Sequence, residues 1–600
     1  MLISRLVEYA QNAGLTEADP FFETKAIRWL VVISPDGKFV QLLKLGDERR
    51  GLEYSVPKKV GGSVGGVATF ATDNPRFVLG YTENSNEAEQ KKVSRDLPAF
   101  MVLVRAAAEQ APTEGQFQAA ARFYADEREL DAARAQAGAD KVKDGDRMAL
   151  AITTANNIPI FDTPAGRAFW RGYRQVQEAG KKEQDAVLCL ACGQYKPPVR
   201  TNDTKIQGLN NVGGNATGTA LVSFDKESFQ SFGWDQNKNA PVCAACSLGY
   251  ARGLNHLLDR GHTPRTRIDQ GGVAFQFWLD SGSAGDFVEN WFEQPDSEQA
   301  EKMLSSVRTG QVPSDAPDRR LFALGLRGNG GRAVVTDWFD TTLVEAYRNL
   351  ARWFDDLEVD LLRDQTEQGV TYRHTGERSR PPRLWMLCRA TAREDKEVSP
   401  RTPVSLVRAA LRGEQLPLRI AEACIRRLPL HSKADDPNGF EDFFAPARLG
   451  LIRCTLNRRT SGERFLMPGL DPDNNEPAYL CGRLLATLEA IQYAGVGDVG
   501  ANIVDRYYGK ASTAPALVFG PLLTLAQSHL GAIRNDGQRV NLDRELSEIV
   551  SRLEASLPRT LTLERQGRFA IGYYHQKAHR FAEIRRRRDE RAAAADANQE

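Results

Sequence analysis

Two cysteine pairs carry the clearest chemical signal in this chain. "CLAC" occupies residues 189–192 and "CAAC" occupies residues 243–246. A Cys-x-x-Cys turn places two sulfurs on one metal ion, and two such turns complete a tetrahedral set of thiolates. Four thiolates leave no open position for water or substrate, so we expect a structural Zn²⁺ held by Cys189, Cys192, Cys243 and Cys246. The alternative is a pair of redox-active or merely buried dithiols.

The remaining motifs give no indication of an enzyme. The chain contains no Walker A loop, no HExxH and no G-x-S-x-G elbow. His575 and His579 are four residues apart and could share a helix face, but no carboxylate spacing completes a metal site with them. Each of the other four cysteines stands alone in an apolar segment and is expected to be buried: Cys388, Cys424, Cys454 and Cys481.

Length and composition predict a cytoplasmic protein of several domains. The chain has 600 residues, 41% of them hydrophobic, and a net charge of +1. It contains no uninterrupted apolar run long enough for a membrane span, and its first residues do not read as a signal peptide. In such a protein eight cysteines are not expected to form a disulfide framework. Basic residues are concentrated locally, as in residues 575–591.

The pattern of apolar residues predicts an α+β fold. Residues 26–45 read as two strands joined by a Pro-Asp-Gly turn, and residues 322–340 read as a hairpin. Residues 70–83 read as a turn leading into a strand, whereas residues 86–140 look helical. After about residue 340 amphipathic helices follow one another. We therefore expect a mixed α/β N-terminal domain with a zinc-binding insertion, and an α-helical bundle at the C-terminus.

These elements suggest four regions. The first is an N-terminal α/β region and the second is the candidate zinc-binding insertion. The third is a middle region that is mixed and then helical, and the fourth is the helical bundle. Their predicted bounds are residues 1–186, 187–260, 261–466 and 467–600.

The N-terminal region also offers candidate contacts to nucleic acid. Lysines could bind phosphates, glycines let a backbone approach DNA closely, and an amide or guanidinium can read base edges. The alternative is an exposed hairpin loop with ordinary lysines. The candidates are Lys58, Lys59, Gly61, Gly62, Ser63, Asn74, Arg76, Lys91 and Lys92.

Several ordered stretches resemble a known family. They are "WLVVISPDGKF", "DNPRFVLGY" at 73–81, "LVSFDKESFQSFG" from residue 221, "LGLRGNGGRAVVTDWF" at 324–339 and "DRYYGKASTAPALVFGPLL" at 505–523. In this order they resemble the large subunit of the type I-C CRISPR Cascade surveillance complex, the Csd1-like family. The resemblance spans most of the chain.

The resemblance implies a binding role without catalysis. In such complexes a guide RNA (crRNA) pairs with the target strand of double-stranded DNA, while protein reads the short flanking motif, the PAM. It implies a large subunit that reads the PAM duplex, promotes and stabilises the R-loop and helps to recruit a separate helicase-nuclease. The implied partners are the backbone subunits, the 5′-handle-binding subunit and the small subunit.

The C-terminal helices resemble the small-subunit-like domain of that family. The resemblance implies that this region can also be made separately, and Met467 would be a possible internal start. Basic side chains there could line a groove for the displaced DNA strand. The candidates are Arg506, Lys510, Arg534 and Arg539.

Two other functions stay open at this point. One is a zinc-dependent nucleic-acid enzyme, against which the closed four-thiolate set and the missing carboxylate clusters count. The other is a general zinc-ribbon protein that binds nucleic acid, which explains the cysteines but not the ordered similarity.

Overall fold

A computed structural model gives the fold as two compact units. Unit 1 comprises residues 3–204 and 222–253, and unit 2 comprises residues 205–221 and 254–600. The residues that the structure describes are 2–15, 19, 21–46, 51–59, 67–84, 86–153, 157–179, 186–202, 204–261, 266–280, 292, 319–360, 365–367, 370–372, 382–428, 444–459, 465–497, 499, 502–553 and 557–597. Among them no helix is both long enough and apolar enough to cross a lipid bilayer.

Unit 1 combines short strands with helices. Its strands are β1 (Phe22–Ile27), β2 (Trp29–Ile33), β3 (Phe39–Lys44), β4 (Leu52–Pro57), β5 (Thr72–Asp73), β6 (Met148–Ile152), β7 (Val187–Leu188) and β8 (Tyr195–Lys196). Its helices are α1 (Leu2–Asn12), α2 (Pro75–Val78), α3 (Glu87–Gln110), α4 (Gly115–Ala125), α5 (Glu127–Ala139), α6 (Pro164–Ala179) and α7 (Ala244–Leu258), the last of which ends in unit 2.

The central sheet of unit 1 has the strand order β3-β2-β6-β5. Strands β2 and β6 pair in parallel, with Trp29 opposite Met148, and every residue of both strands is buried. Burial on both faces explains their continuous apolar sequence, which is typical of inner parallel strands. The predicted hairpin over residues 26–45 is confirmed as β2 paired with β3.

The prediction for residues 70–83 was wrong in its second half. Here β5 is followed by the short helix α2, and not by a strand. Pro75 occupies the first helical turn, where its fixed φ and missing N–H suit a helix start. Phe77, Val78 and Leu79 are buried in the core of unit 1, so tertiary packing sets the local structure. The helical prediction for residues 86–140 is confirmed by α3, α4 and α5.

Unit 2 begins with strands and continues with helices. Its strands are β9 (Arg267–Gln270), β10 (Val273–Leu279), β11 (Arg320–Asn329), β12 (Arg332–Thr342), β13 (Gln365–Glu367) and β14 (Val370–Tyr372). Its helices are α8 (Leu343–Leu357), α9 (Leu384–Ala390), α10 (Arg401–Arg412), α11 (Leu418–Ile425), α12 (Ala445–Arg459), α13 (Pro477–Val496), α14 (Ile503–Ala511), α15 (Phe519–Ala532), α16 (Asp536–Arg552) and α17 (Leu563–Ala597).

The sheet of unit 2 is an antiparallel meander in the order β12-β11-β10-β9. Alternate residues Phe275 and Phe277 of β10 belong to a core shared with Leu350 of α8 and Leu406 of α10. This period of two is what a strand facing helices requires. The hairpin predicted over residues 322–340 is confirmed as β11 and β12.

The C-terminal helices form a bundle around α13. Leu484, Leu485 and Leu488 of this helix are buried among side chains of α14, α15 and α16. A Cβ atom added to Gly482 would lie 2.0 Å from the carbonyl oxygen of Phe569, so α13 and α17 touch backbone to backbone at this point. The predicted α+β class with a helical C-terminal region is confirmed, and the four-region division stays a prediction.

Candidate metal centre and nucleic-acid contact residues

The four predicted thiolates lie together in unit 1. The Sγ atoms of Cys189, Cys192, Cys243 and Cys246 all lie within 4.8 Å of one another. Tetrahedral coordination with metal–sulfur distances of about 2.3 Å separates the sulfurs by roughly 3.8 Å, so the cluster matches that donor set. Three of the cysteines are buried and Cys192 is exposed.

Backbone hydrogen bonds shape the first cysteine pair. The amide of Cys189 donates to the carbonyl of Gln194, and the amide of Gly193 donates to the carbonyl of Cys189, both at 2.9 Å. Gly193 has a φ of 68°, a left-handed conformation that glycine adopts without strain. The β7–β8 pairing then closes the turn. Local sequence therefore folds "CLACG" into a knuckle that points two sulfurs the same way.

The second pair lies at the start of α7. Cys246 belongs to the first turn of the helix, and the amide of Cys243 donates to the Sγ of Cys189 at 3.3 Å. The amide of Leu190 donates to the carbonyl of Pro241 at 2.9 Å, and that of Val199 donates to the carbonyl of Val242 at 3.0 Å. These bonds hold the two pairs together across about 50 residues of sequence.

The thiols influence one another electrostatically. A hydrogen bond from Cys246 is the main reason that the pKa of Cys243 is lowered to about 5. The same hydrogen bond, together with burial, raises the pKa of Cys246. The Cys243 sulfur thus carries negative charge that the Cys246 thiol stabilises, and a bound cation would displace the remaining thiol protons, because it requires thiolate ligands. These residues could hold a metal ion, and the closed set leaves no position for a substrate.

A long part of the segment between the cysteine pairs belongs to unit 2. Residues 205–221 pair with the β11–β12 hairpin through bridges between Gly214 and Gly330 and between Ala220 and Arg332. A Cβ atom on Gly328 would lie 1.9 Å from the backbone nitrogen of Gly214. We call residues 205–221, together with the β11–β12 hairpin with which they pair, the glycine clasp. The sequence indicated an Asn- and Gly-rich insertion but not its pairing partner.

Two of the predicted DNA contacts are linked through Asp73. The ammonium group of Lys59 lies 3.1 Å from Oδ2 of Asp73 and 4.1 Å from the ring centroid of Phe77. Oδ1 of the same carboxylate accepts the backbone amide of Asn74 at 2.9 Å. The side-chain Oδ1 of Asn74 is buried and has no hydrogen-bond partner among the described residues. Lys59 and Asn74 therefore lie close together around Asp73. The ammonium group of Lys59 already neutralises the carboxylate of that residue.

Two further predicted contacts are linked through Glu89. Nη1 of Arg76 donates to Oε2 of Glu89 at 2.9 Å, and Lys92 donates to the other oxygen of the same carboxylate. Nε of Arg76 also lies 3.7 Å from Oδ2 of the buried Asp96. Hydrogen bonds from Lys92 and Arg76 lower the pKa of Glu89. Arg76 thus joins α2 to α3, a structural role that the sequence alone did not reveal.

The other predicted contacts in unit 1 have different surroundings. Lys58 is half-buried and donates its backbone amide to the carbonyl of Phe21 at 2.8 Å. Lys91 is exposed and forms an ion pair one helical turn away with Glu87, at 2.8 Å. Gly61, Gly62 and Ser63 lie outside the described residues.

The predicted displaced-strand contacts are all exposed side chains of the C-terminal bundle. Arg506 and Lys510 are one turn apart on α14. Arg534 precedes α16, and Arg539 lies in its first turns, where it pairs with Asp536 at 2.8 Å. In the part of the chain that the structure describes, Arg506, Lys510 and Arg534 have no carboxylate within 4.0 Å, so their charge is available to a ligand.

The two C-terminal histidines do not act together. Both lie on α17, but His575 is buried and bonds through Nδ1 to the Tyr479 hydroxyl at 3.0 Å, whereas His579 is exposed. Burial lowers the pKa of His575 to about 3. The side chain of His575 is therefore a neutral member of the core. The four isolated cysteines are buried, as predicted.

Two exposed aromatic residues were not among the predicted contacts. Phe232 and Trp234 lie in the segment of unit 1 that leads to Cys243, with exposed fractions of 91% and 50%. Aromatic residues embedded in the polar run 225–239 were the available signal in the sequence.

One comparison with known proteins identifies a family. The family model described as CRISPR-associated protein (Cas_Csd1) matches residues 6–581, nearly the whole chain. No curated protein matches at a significant level. The resemblance carried by the ordered sequence stretches is thereby confirmed, and the chain belongs to the Cas_Csd1 family of CRISPR-associated proteins.

Proposed function

We propose that this chain is the non-catalytic large subunit of a type I-C Cascade complex that acts in the cytoplasm. In this role it recognises the PAM in double-stranded DNA, promotes and stabilises the R-loop and helps to recruit the helicase-nuclease for antiviral defence. The observation that carries the proposal is the family match over residues 6–581. The partners would be the guide RNA, the backbone subunits, the 5′-handle-binding subunit and the small subunit.

The surroundings of Asn74 support a base-reading role at this position. Its amide is half-buried at the start of α2, beside the Lys59–Asp73 ion pair, and its Oδ1 lacks a partner within the described ranges. An amide group can pair with a base edge, and because Oδ1 is buried the contact would be made by Nδ2. Lys58, which has no carboxylate partner among described residues, would contact phosphate, as would Lys91, whose ion pair with Glu87 is exposed to solvent and therefore easily exchanged.

The role of Arg76, Lys59 and Lys92 would be indirect. Each already pairs with a carboxylate: Arg76 and Lys92 with Glu89, and Lys59 with Asp73. An ion pair that is partly buried is unlike a free cation, because breaking it leaves the carboxylate uncompensated. We propose that these three residues fix the positions of Asn74 and Lys58 rather than bind DNA themselves.

The metal of the cysteine cluster would be Zn²⁺ in a structural role. Four thiolates in a closed tetrahedral arrangement are a typical zinc site, and such a site takes no substrate. Bound zinc would supply a cross-link between the β7–β8 knuckle and the start of α7. This closed geometry favours the Cascade subunit over the zinc-dependent enzyme.

The deciding experiment compares DNA binding by the reconstituted complex with and without this chain. The duplexes share one target and differ only in the flanking motif. We expect tight binding only when the chain is present and the flank is correct. Equal binding without the chain, or binding that ignores the flank, would refute PAM recognition.

Point variants then locate the readout. Asn74→Ala and Lys58→Ala should each weaken binding to the correct flank, and the loss of a base-edge hydrogen bond should cost roughly 1–3 kcal/mol. Only Asn74→Ala should reduce the discrimination between flanks, because phosphate contacts carry no sequence information. Lys38→Ala, an exposed lysine in the β2–β3 turn, is the matched control and should behave as the unaltered chain.

A further inference from the structure

Residues 225–239 of unit 1, which we call the aromatic loop, display large rings to solvent. Phe232 is 91% exposed and Trp234 is 50% exposed, and their ring centroids lie 5.8 Å apart at an interplanar angle of 53°. Phe229 is also exposed. Aromatic side chains of this size are normally largely buried, so a concentration of exposed rings marks a binding surface.

The aromatic loop is pre-organised by Asn239. Its Oδ1 accepts the backbone amide of Ser231 at 2.7 Å, and its Nδ2 donates to the carbonyls of Trp234 and Gln236 at 2.6 and 2.9 Å. Nη1 of Arg200 further donates to Oε1 of Gln236 at 3.0 Å. The backbone that carries the rings is therefore held in place before any ligand arrives, which reduces the entropy lost on binding.

The backbone of the aromatic loop carries strain that this hydrogen bonding maintains. Phe232 has a φ of 56°, a left-handed conformation that is unfavourable for a residue with a Cβ atom. Since its ring is almost fully exposed to solvent, burial in the core of unit 1 does not compensate for that conformation. Strained residues held in this way cluster at functional sites.

The composition of the aromatic loop suits a nucleobase ligand. Apart from its three aromatic residues, the loop consists only of polar residues and one glycine. Protein interfaces are also enriched in aromatic residues, so the nucleobase is selected by the proposed function in a DNA-binding complex, where exposed rings serve as stacking platforms for bases. Lys226, Lys238 and Arg200 are exposed and have no carboxylate within 4.0 Å in the described part of the chain, so they are available to phosphates.

We propose that Phe232 and Trp234 stack on unpaired bases of single-stranded DNA. The proposal rests on the proposed function, in which an opened target duplex supplies such bases. The three carboxylates Asp225, Glu227 and Asp235 outnumber the two lysines of the loop, so the loop itself carries a net negative charge. Stacking rather than phosphate contact therefore provides most of the affinity at this site, and the contribution of the two rings should depend little on salt.

The test uses the full chain and a fluorescein-labelled oligothymidylate of about 15 nucleotides, with binding measured by fluorescence anisotropy. Phe232→Ala and Trp234→Ala should each weaken binding about tenfold, and the double variant should weaken it further. The slope of log affinity against log salt should stay unchanged in all three. Trp234→Phe keeps a stacking face and should recover most of the loss.

Tyr493→Ala is the matched control, because Tyr493 is a 68% exposed aromatic residue on α13. It should leave oligothymidylate binding unchanged. Unchanged binding by the Phe232/Trp234 double variant, with thermal stability preserved, would overturn the proposal. So would a double variant that binds oligothymidylate normally but no longer joins the other subunits, because the rings would then be a protein-docking site. The assay contains no flanking motif, so its outcome is independent of PAM recognition.

Discussion

The ammonium group of Lys59 lies 3.1 Å from the carboxylate of Asp73, whose side chain is only 3% exposed. Oδ2 of Asp73 also accepts hydrogen bonds from the backbone amide and the hydroxyl of Thr69, both at 3.2 Å. One buried carboxylate thus connects the end of β4 with the approach to α2. Lys59 and its neighbour Lys58 look equivalent in sequence, yet the structure gives them different surroundings.

Substitution of Lys59 should destabilise the fold, whereas substitution of Lys58 should not. Lys59→Ala leaves Asp73 without its cation and should lower the free energy of unfolding by about 1–3 kcal/mol. Lys58→Ala removes no ion pair with any described residue and should change that free energy by less than about 0.5 kcal/mol. Thermal denaturation of the two variants measures this difference in stability. Equal melting temperatures would mean that the Asp73 ion pair does not support the fold.

Removal of one cysteine ligand should abolish metal binding. Cys243→Ser takes away a thiolate that lies within 4.8 Å of the other three sulfurs, so bound zinc should fall from about one ion per chain to nearly none. The melting temperature should fall as well, because the cross-link between the knuckle and α7 is lost. Elemental analysis of the purified protein measures the zinc. Cys388→Ser is the control: this cysteine is buried away from the cluster, and its substitution should leave the metal content unchanged.

The glycine clasp should tolerate a methyl group at one position and not at another. The Cβ atom of Gly328→Ala would lie 1.9 Å from the backbone of Gly214, so residues 205–221 must move, at a cost of roughly 1–3 kcal/mol. The Cβ atom of Gly331→Ala would lie 3.8 Å from its nearest neighbour, the side chain of Asn215. Hydrogen exchange should therefore accelerate in residues 205–221 only in the first variant. The same exchange rates in both variants would contradict the observed pairing.

His575 should make the protein sensitive to mild acid. Its folded pKa of about 3 lies below the ordinary value of about 6.5, so between these values the unfolded chain binds a proton that the folded chain does not. The free energy of unfolding therefore falls as pH drops from 6.5 towards 3, by about 1.4 kcal/mol per pH unit for this group. Denaturation at pH 7 and pH 5 measures the change.

A neutral side chain at this position should flatten that pH dependence. His575→Gln should lose less stability between pH 7 and pH 5 than the unaltered chain does, whatever its stability at pH 7. His579→Gln is the control because His579 is exposed on the same helix, and it should keep the full dependence. If both variants respond alike, another group causes the acid sensitivity.

The exposed cations of α14 should contribute to single-strand binding through charge. Arg506→Gln with Lys510→Gln should reduce the slope of log affinity against log salt by about 0.7 for each phosphate that is no longer neutralised. Phe232→Ala and Trp234→Ala, by contrast, are expected to weaken binding without changing this slope. Titrations of labelled single-stranded DNA at several salt concentrations measure it, with Lys38→Gln as the control. An unchanged slope would exclude Arg506 and Lys510 from the strand path.

The sequence by itself determined the features that depend on residue type and short spacing. The first Cys-x-x-Cys turn needs only the glycine Gly193 and a two-strand closure, so "CLACG" predicts its own local geometry. Apolar runs separated by turn residues likewise identified the β2–β3 and β11–β12 hairpins, and apolar residues at helical spacing identified the C-terminal helices. The family followed from ordered motifs along the chain.

Tertiary structure decided what each charged or flexible residue contacts. Arg76 and Lys59 read as free cations in the sequence, but the carboxylates of Glu89 and Asp73 engage them in the fold. The partner of residues 205–221 lies more than 100 residues away, in β11–β12, and no local pattern indicates such pairing. Long-range contacts depend on which backbones approach each other, and that is a property of the packed fold rather than of spacing along the chain.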